Sequence, residues 1–273
     1  MIDLTDKFQD LDTKLFALLR SLNNEEWNKQ TIAKLWKVKD VVAHLLDGNI
    51  RTLSGLRDNY KGEPPVINSY QDLLDFLNAM NAEWVTSMKR VSPKMLIDLL
   101  EHTGPKFCKY YGSLDLLEKA EYSVAWAGEN ESKNWMHIAR EYTEKFLHQQ
   151  QIRDAVGKQG LMTKRYFYPF LEVCMFALPY TLRDTKAEID DTIKMEITGK
   201  AGGIWYVQYN GKSWKIIDSL SENLPITEIS IDQDSSWKLF SKSLRPSDLT
   251  DKIKIIGNQK IGNEAISLVS FMV

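Results

Sequence analysis

With 273 residues, 43% of them hydrophobic and 26% charged, the chain has material for one large domain or two ordinary ones. A net charge of −2 leaves no global basic footprint, which argues against nucleic acid as a partner. No apolar run nears the ~20 residues of a membrane span, and the amphipathic, acidic start MIDLTDKFQD is unlike a signal peptide, so no membrane association and a cytoplasmic location are expected.

Leu4, Phe8, Leu11, Leu15, Leu18 and Leu22 recur at steps of four and three, predicting a helix over residues 3–22 that ends at Asn23-Asn24. A connection carrying Trp27 and Trp36 leads to a second helix, about Val38–Leu56, with Val38, Val41, Val42, Leu45, Leu46, Leu53 and Leu56 on its apolar face. His44 stands mid-helix in the string WKVKDVVAHLLDG, beside Val41 and one turn from Gly48, so its ring borders the apolar face with open space on one side. It reads either as a hydrogen-bonded core histidine or as one arm of a site built across facing helices.

After a loop with Gly62 and Pro64-Pro65, Ser69-x-x-Asp72 signals a helix start, and Leu73, Leu77, Met80, Trp84 and Met88 predict a buried stripe. Ser92-Pro93 opens a further helical stretch with Leu96, Leu99 and Leu100, expected to break at Gly104-Pro105 and resume through Phe107, Tyr110 and Tyr111. Cys108 and Cys174 form no C-x-x-C motif and sit in apolar stretches, where cysteine is a small core residue. Past the AWAGE turn comes the long helix Glu131–Gly157, which holds two of the four histidines. Glu144 and His148, four apart, share one helix face about 6 Å from each other, a spacing that lets a carboxylate oxygen and an imidazole nitrogen hold one metal ion. The same spacing also occurs on solvated faces with no metal. His137 and Glu141 repeat it two turns earlier, about 16 Å from His148, too far to share an ion and at best at the mouth of such a site.

Beyond residue 163 the pattern changes. Phe167, Phe170, Leu171, Val173 and Phe176 predict an apolar helix ending at Pro179, after which alternation takes over. KMEITG reads as a strand, IWYVQY-NG-KSWKII as a hairpin with a two-residue Asn-Gly turn of type I′, and ITEISID as a third strand. A helix with Trp237, Leu239 and Phe240, the strand KIKIIG and a terminal helix over Gln259–Phe271 complete the chain. The fold class expected is α plus α+β, with a helical bundle over residues 1–160 and a smaller α+β domain with an antiparallel-rich sheet over 161–273. No Walker loop, G-x-S-x-G elbow or G-x-G-x-x-G fingerprint is present.

W-x-V-K-D-V-V-A-H-L around His44, followed by Glu144-x-x-x-His148 in a later helix, resembles the DinB-like superfamily and, within it, the mycothiol-dependent maleylpyruvate isomerase family. The second half resembles that family's C-terminal domain and, more loosely, sterol-carrier-protein-2-like modules. The resemblance implies a four-helix bundle that holds a divalent metal, usually zinc, through His44, Glu144 and His148. It implies an enzyme in which the metal activates a low-molecular-weight thiol, as cosubstrate, for addition to a small electrophile. Adduct rotation and thiol elimination would give cis-trans isomerisation, whereas a retained adduct would give thiol transfer. Where the family often has an acidic residue three positions past the last histidine, this chain has Gln151, whose amide oxygen would have to serve as acceptor for the imidazole. Arg245 is a candidate cation for a substrate or thiol carboxylate, set against its plainer reading as a surface arginine. Two other functions stay open: a non-enzymatic carrier of a small apolar ligand, and a hydrolase whose metal activates water. Monomer and homodimer are equally compatible with the sequence.

Overall fold

The computed structural model describes residues 1–60, 62–63, 65–220 and 224–271. The expected helices form, with Pro64 of the Pro-Pro loop and the last two residues of the chain lying outside the described set. In the first half, α1 spans Lys7–Arg20, α2 Asn24–Trp27, α3 Val38–Arg51, α4 Tyr70–Met88, α5 Pro93–Tyr111 and α6 Asn134–Val156. The period-3.6 face of α1 is buried through Phe8, Leu11, Leu15 and Leu18, and that of α3 through Val38, Val41, Val42, Leu45 and Leu46. Leu15 and Leu18 of α1 and the face of α3 meet Leu96 and Leu100 of α5 and Ile152 and Val156 of α6 in one continuous core. Two buried polar contacts fix how α6 lies in it. Lys145 Nζ donates to Asp12 Oδ1 of α1 at 2.7 Å, and Gln149 Nε2 donates to the Leu11 carbonyl at 2.8 Å.

Three details differ from expectation. α5 runs unbroken through Gly104-Pro105, because proline's fixed φ is helical and the lost hydrogen bond is offset by packing on both sides of it, Leu100 in the core and Phe107 edge-on to Phe8 at 5.3 Å. Gly104 is needed there, since a Cβ would come 2.8 Å from Asp12 Oδ2. The stripe Leu73, Leu77, Met80, Trp84 and Met88 of α4 is only partly covered, and Val85 alone in that helix is buried. α4 packs on α3 at the flank, while α5 takes the central place. α3, finally, continues into a π-helical segment over Thr52–Arg57.

Residues 123–131 and 161 onward form a second compact unit, separate from the unit of 1–122 and 132–160. Here α7 spans Phe167–Met175 and α8 Ala177–Thr181, so the apolar helix does not end at Pro179. That proline occupies the first turn of α8, where its missing N–H has no helical partner to lose. Strands β1 (Thr192–Thr198), β2 (Gly203–Tyr209), β3 (Trp214–Ile217), β4 (Thr227–Asp232) and β5 (Ile253–Gly257) make a sheet of order β3-β2-β1-β4-β5. Only β1 and β4 run parallel; Met195 stands level with Ile229 on one side and with Trp205 on the other. Ile193, Met195 and Ile197 alternate inward, and on the opposite face Lys194 pairs with Glu196 and Glu228. α9 (Gln233–Phe240) and α10 (Gln259–Ala265) pack on the sheet, α10 ending well short of Phe271. The hairpin turn sits one residue later than Asn-Gly predicts. Tyr209 pairs with Trp214, and Gly211 at φ 90 is the sole positive-φ residue of the loop, as when glycine leads the turn pair. The Asn210 side chain accepts from the Lys212 and Ser213 N–H groups, an Asx turn that competes with the left-handed backbone a type I′ turn requires of asparagine.

Candidate metal centre

The long helix α6 begins where Asn134 ties its backbone N–H to the Glu118 carbonyl and its side-chain amide to the Asp115 carbonyl. It stops at Gly157, left-handed at φ 70, with Lys158 N–H bonded back to the Arg153 carbonyl. Between these ends it is continuous, so Glu144 and His148 stand one turn apart, with Glu144 Oε2 3.3 Å from His148 Nε2. The other ring nitrogen, Nδ1, lies 2.9 Å from Gln151 Oε1. An amide oxygen only accepts, so Nδ1 donates to it and Nε2 is the nitrogen directed at Glu144.

α3 delivers the third group. The Lys37 backbone N–H donates to Asp40 Oδ2 at 3.0 Å, starting the helix, and two turns later the His44 ring meets that of His148 edge-on, centroids 4.6 Å apart. Trp36 closes the other side of His44 at 4.7 Å and reaches 6.1 Å from His148. The connection before α3 holds this indole in place, with Thr31 Oγ1 and the Gln30 amide both donating to the Trp36 carbonyl. His44, Glu144 and His148 each offer one ligand atom, all within 4.8 Å of one another, and they are the one group of three such residues among those described. His44 Nδ1 is buried with no hydrogen-bond partner. Burial, and then the neighbouring His148 and Arg51, hold the His44 pKa well below the ordinary histidine value, so the ring is neutral at pH 7, the form that ligates a metal.

His137 and Glu141 stay outside this group. His137 Nε2 lies 3.1 Å from Tyr111 Oη, and Glu141 Oε1 accepts from Arg140 at 2.6 Å. Arg245 belongs to the second unit, exposed at the start of the 3₁₀ turn Pro246–Asp248, its backbone N–H donating to Asp248 Oδ2. Trp36 carried no signal in the sequence beyond its place eight residues before His44, and the neighbouring arginines Arg51 and Arg140 carried none.

The family model for the mycothiol maleylpyruvate isomerase N-terminal domain matches residues 8–153, more than half of the chain and the whole span from α1 through His148. The chain belongs to this family. Two crystal structures of the mycothiol-dependent maleylpyruvate isomerase, one of them of a point mutant, each superpose with a TM-score of 0.56 over 93% of this chain and 93% of theirs, at 10% identity. The fold is therefore shared along nearly the full length of this family member. A solution structure of the sterol carrier protein domain 2 of Helicoverpa armigera aligns over 36% of this chain and 82% of that one, with 19% identity and a TM-score of 0.28. No curated protein matches in sequence. No helix among the described residues is long and apolar enough to cross a membrane.

Proposed function

We propose that this family member is a thiol-dependent enzyme that holds a divalent cation, zinc by the chemistry of its donors, at His44, Glu144 and His148. The observation that carries the reading is the convergence of two imidazoles and one carboxylate from α3 and α6, with His44 Nδ1 buried and unpaired. Three protein ligands of this N₂O type leave a coordination position open, the pattern of catalytic rather than structural sites. A cation there supplies Lewis acidity that lowers the pKa of a low-molecular-weight thiol and favours its thiolate, the form that adds to an electrophile.

The chain's own residues set the conditions for that chemistry. Gln151 keeps His148 in the tautomer that presents Nε2, and Trp36 walls His44 and His148 from one side. The thiol comes from outside: burial and the nearby Asp12 push the Cys108 pKa up to about 11, and burial pushes Cys174 up to about 12. Both are thus protonated and unreactive at neutral pH. The small electrophile is the second substrate; elimination of the thiol after rotation of the adduct gives cis-trans isomerisation, and a retained adduct gives thiol transfer. Arg245 is kept as a proposed carboxylate contact from the second unit.

Elemental analysis of tag-free protein tests the site. His44→Ala, Glu144→Ala and His148→Ala should each lose most of the bound metal, whereas His137→Gln should keep it. Gln151→Leu should weaken uptake by about 10–100-fold in a chelator competition without abolishing it. Thiol-dependent turnover should vanish with the metal and return on its re-addition. Wild-type metal content in His44→Ala would remove the proposal.

A further inference from the structure

Glu144 and His148 occupy one side of a helix that is buried almost all round. Ile138, Tyr142, Phe146, Leu147 and Ile152 leave the axis of α6 in several directions and are all buried, so apolar burial gives this helix no single preferred face. What marks out one side of it is polar. Lys145, Gln149 and Arg153, at steps of four, form a column of long side chains only 8%, 1% and 7% exposed. The first two each follow a proposed ligand by one residue, about 100° round the axis.

The whole column ends on α1. Lys145 Nζ donates to Asp12 Oδ1 at 2.7 Å, Gln149 Nε2 to the Leu11 carbonyl at 2.8 Å and Arg153 Nη2 to the Lys14 carbonyl at 3.1 Å. Arg153 Nη2 also donates to Gln149 Oε1 at 3.1 Å, joining two rungs. Asp12 is held in turn by α5, its Oδ2 lying 3.8 Å from Cys108 Sγ, and the Lys145 ammonium stands 4.3 Å from the centre of the Phe107 ring. The column thus sets both the rotation of α6 about its axis and its position along it, against a frame of α1 and α5.

Rotation matters at the metal centre. An atom about 5–6 Å from a helix axis moves about 2 Å when the helix turns by about 20°, as much as a whole metal–ligand bond. His44 comes from α3, so the meeting of its ring with that of His148, centroids 4.6 Å apart, depends on how α6 is turned. Stability does not account for the column, because desolvation offsets the attraction within a buried ion pair, and apolar groups of the same shape serve as well or better. Building on the proposed metal centre, we infer that Asp12, Lys145 and Gln149 are positioning residues, which hold α6 at the rotation that brings Glu144 and His148 onto His44. They act on the centre only through the helix that carries its ligands.

The test replaces the ion pair in the full-length protein by apolar groups of matching shape, Asp12→Leu/Lys145→Met. Urea denaturation of the metal-free form should show stability equal to wild type or higher. Zinc affinity in a chelator competition should nevertheless fall by about tenfold or more, as when a group that orients a ligand is lost, and the visible absorption of the cobalt(II)-loaded protein should change. Gln149→Met, which removes the middle rung at similar length, should alter the cobalt spectrum as well and decides the matter if the double variant does not fold. Val156→Ala gives the opposite pattern: it opens a cavity in the core on the same helix, so stability should fall while the cobalt spectrum stays that of wild type. In metal-free protein the nuclear Overhauser contact between the His44 and His148 rings reports the rotation directly, and it should be weaker in Asp12→Leu/Lys145→Met than in wild type. Wild-type zinc affinity and cobalt spectrum in both column variants would overturn the inference while leaving the metal centre standing. If wild type binds no metal, the metal reading fails, and an unchanged ring contact in the double variant overturns the inference separately.

Discussion

His137 shows how strongly position governs the character of one residue type in this chain. His102 lies on the exposed side of α5, His44 and His148 face one another, and His137 is sealed beneath Tyr111 and Tyr122. Burial first, and the positive Arg140 second, bring the His137 pKa down to about 4, against an opposing pull from Glu141. The folded protein therefore refuses a proton that the unfolded chain accepts near pH 6.5. The stabilisation is complete above about pH 6.5 and is lost as pH falls from there through about 4, for a total on the order of 3 kcal/mol. His44, also held low by burial, acts in the same direction. Melting temperature measured from pH 7.5 to 4.5, with chelator present so that metal release adds nothing, should fall along this window. His137→Gln should flatten the slope; an unchanged slope would show that His137 is not the group responsible.

At the scale of elements, α3 and α4 have similar apolar patterns and different fates. Leu46 of α3 is fully buried in the core, while Leu77 of α4 is only partly covered, because α5 rather than α4 completes the packing with α1 and α6. Leu46→Ala should then cost about 2–5 kcal/mol, as a cavity in a closed core does, and Leu77→Ala well under half of that. Urea denaturation with m-values compared gives both numbers. Equal losses would place α4 in the core. The same contrast explains why the Gly104-Pro105 pair does not end α5: a central helix gains enough from burial on both sides of a proline to carry one missing hydrogen bond.

For the whole molecule, the division into two units has one exception with a measurable result. Ser123–Glu131 leaves the helical unit between α5 and α6 and belongs to the other, where Trp126 is buried and Gly128 abuts Tyr180. The ends of this excursion are held together within the helical unit, the Ala120 N–H donating to the Ser132 carbonyl at 2.8 Å. A fragment of residues 1–160 should therefore stay helical and keep cation binding but uncover Trp126, giving red-shifted emission and a tendency to associate. Replacing 123–131 by a short Gly-Ser turn, which costs little where the ends already meet, should restore solubility. An unfolded fragment in circular dichroism would show that the helical unit depends on the rest of the chain.

Glu144 and His148 were readable as a pair from the sequence because 3.6 residues per turn places i and i+4 together on any continuous helix, and Gln151, at i+3 from the histidine, follows from the same geometry. The apolar periods likewise foretold α1, α3 and the five strands, since burial selects one face of a helix and alternate residues of a strand. Nothing local determined that His44 would face that pair, because it depends on how α3 turns about its axis against α6, a balance struck by Val41, Leu45, Ile152 and their neighbours in the core. Trp36 against His44 was beyond reach for the same reason. Contacts between segments far apart in the chain leave no period in either one, and only the packed helices bring them together.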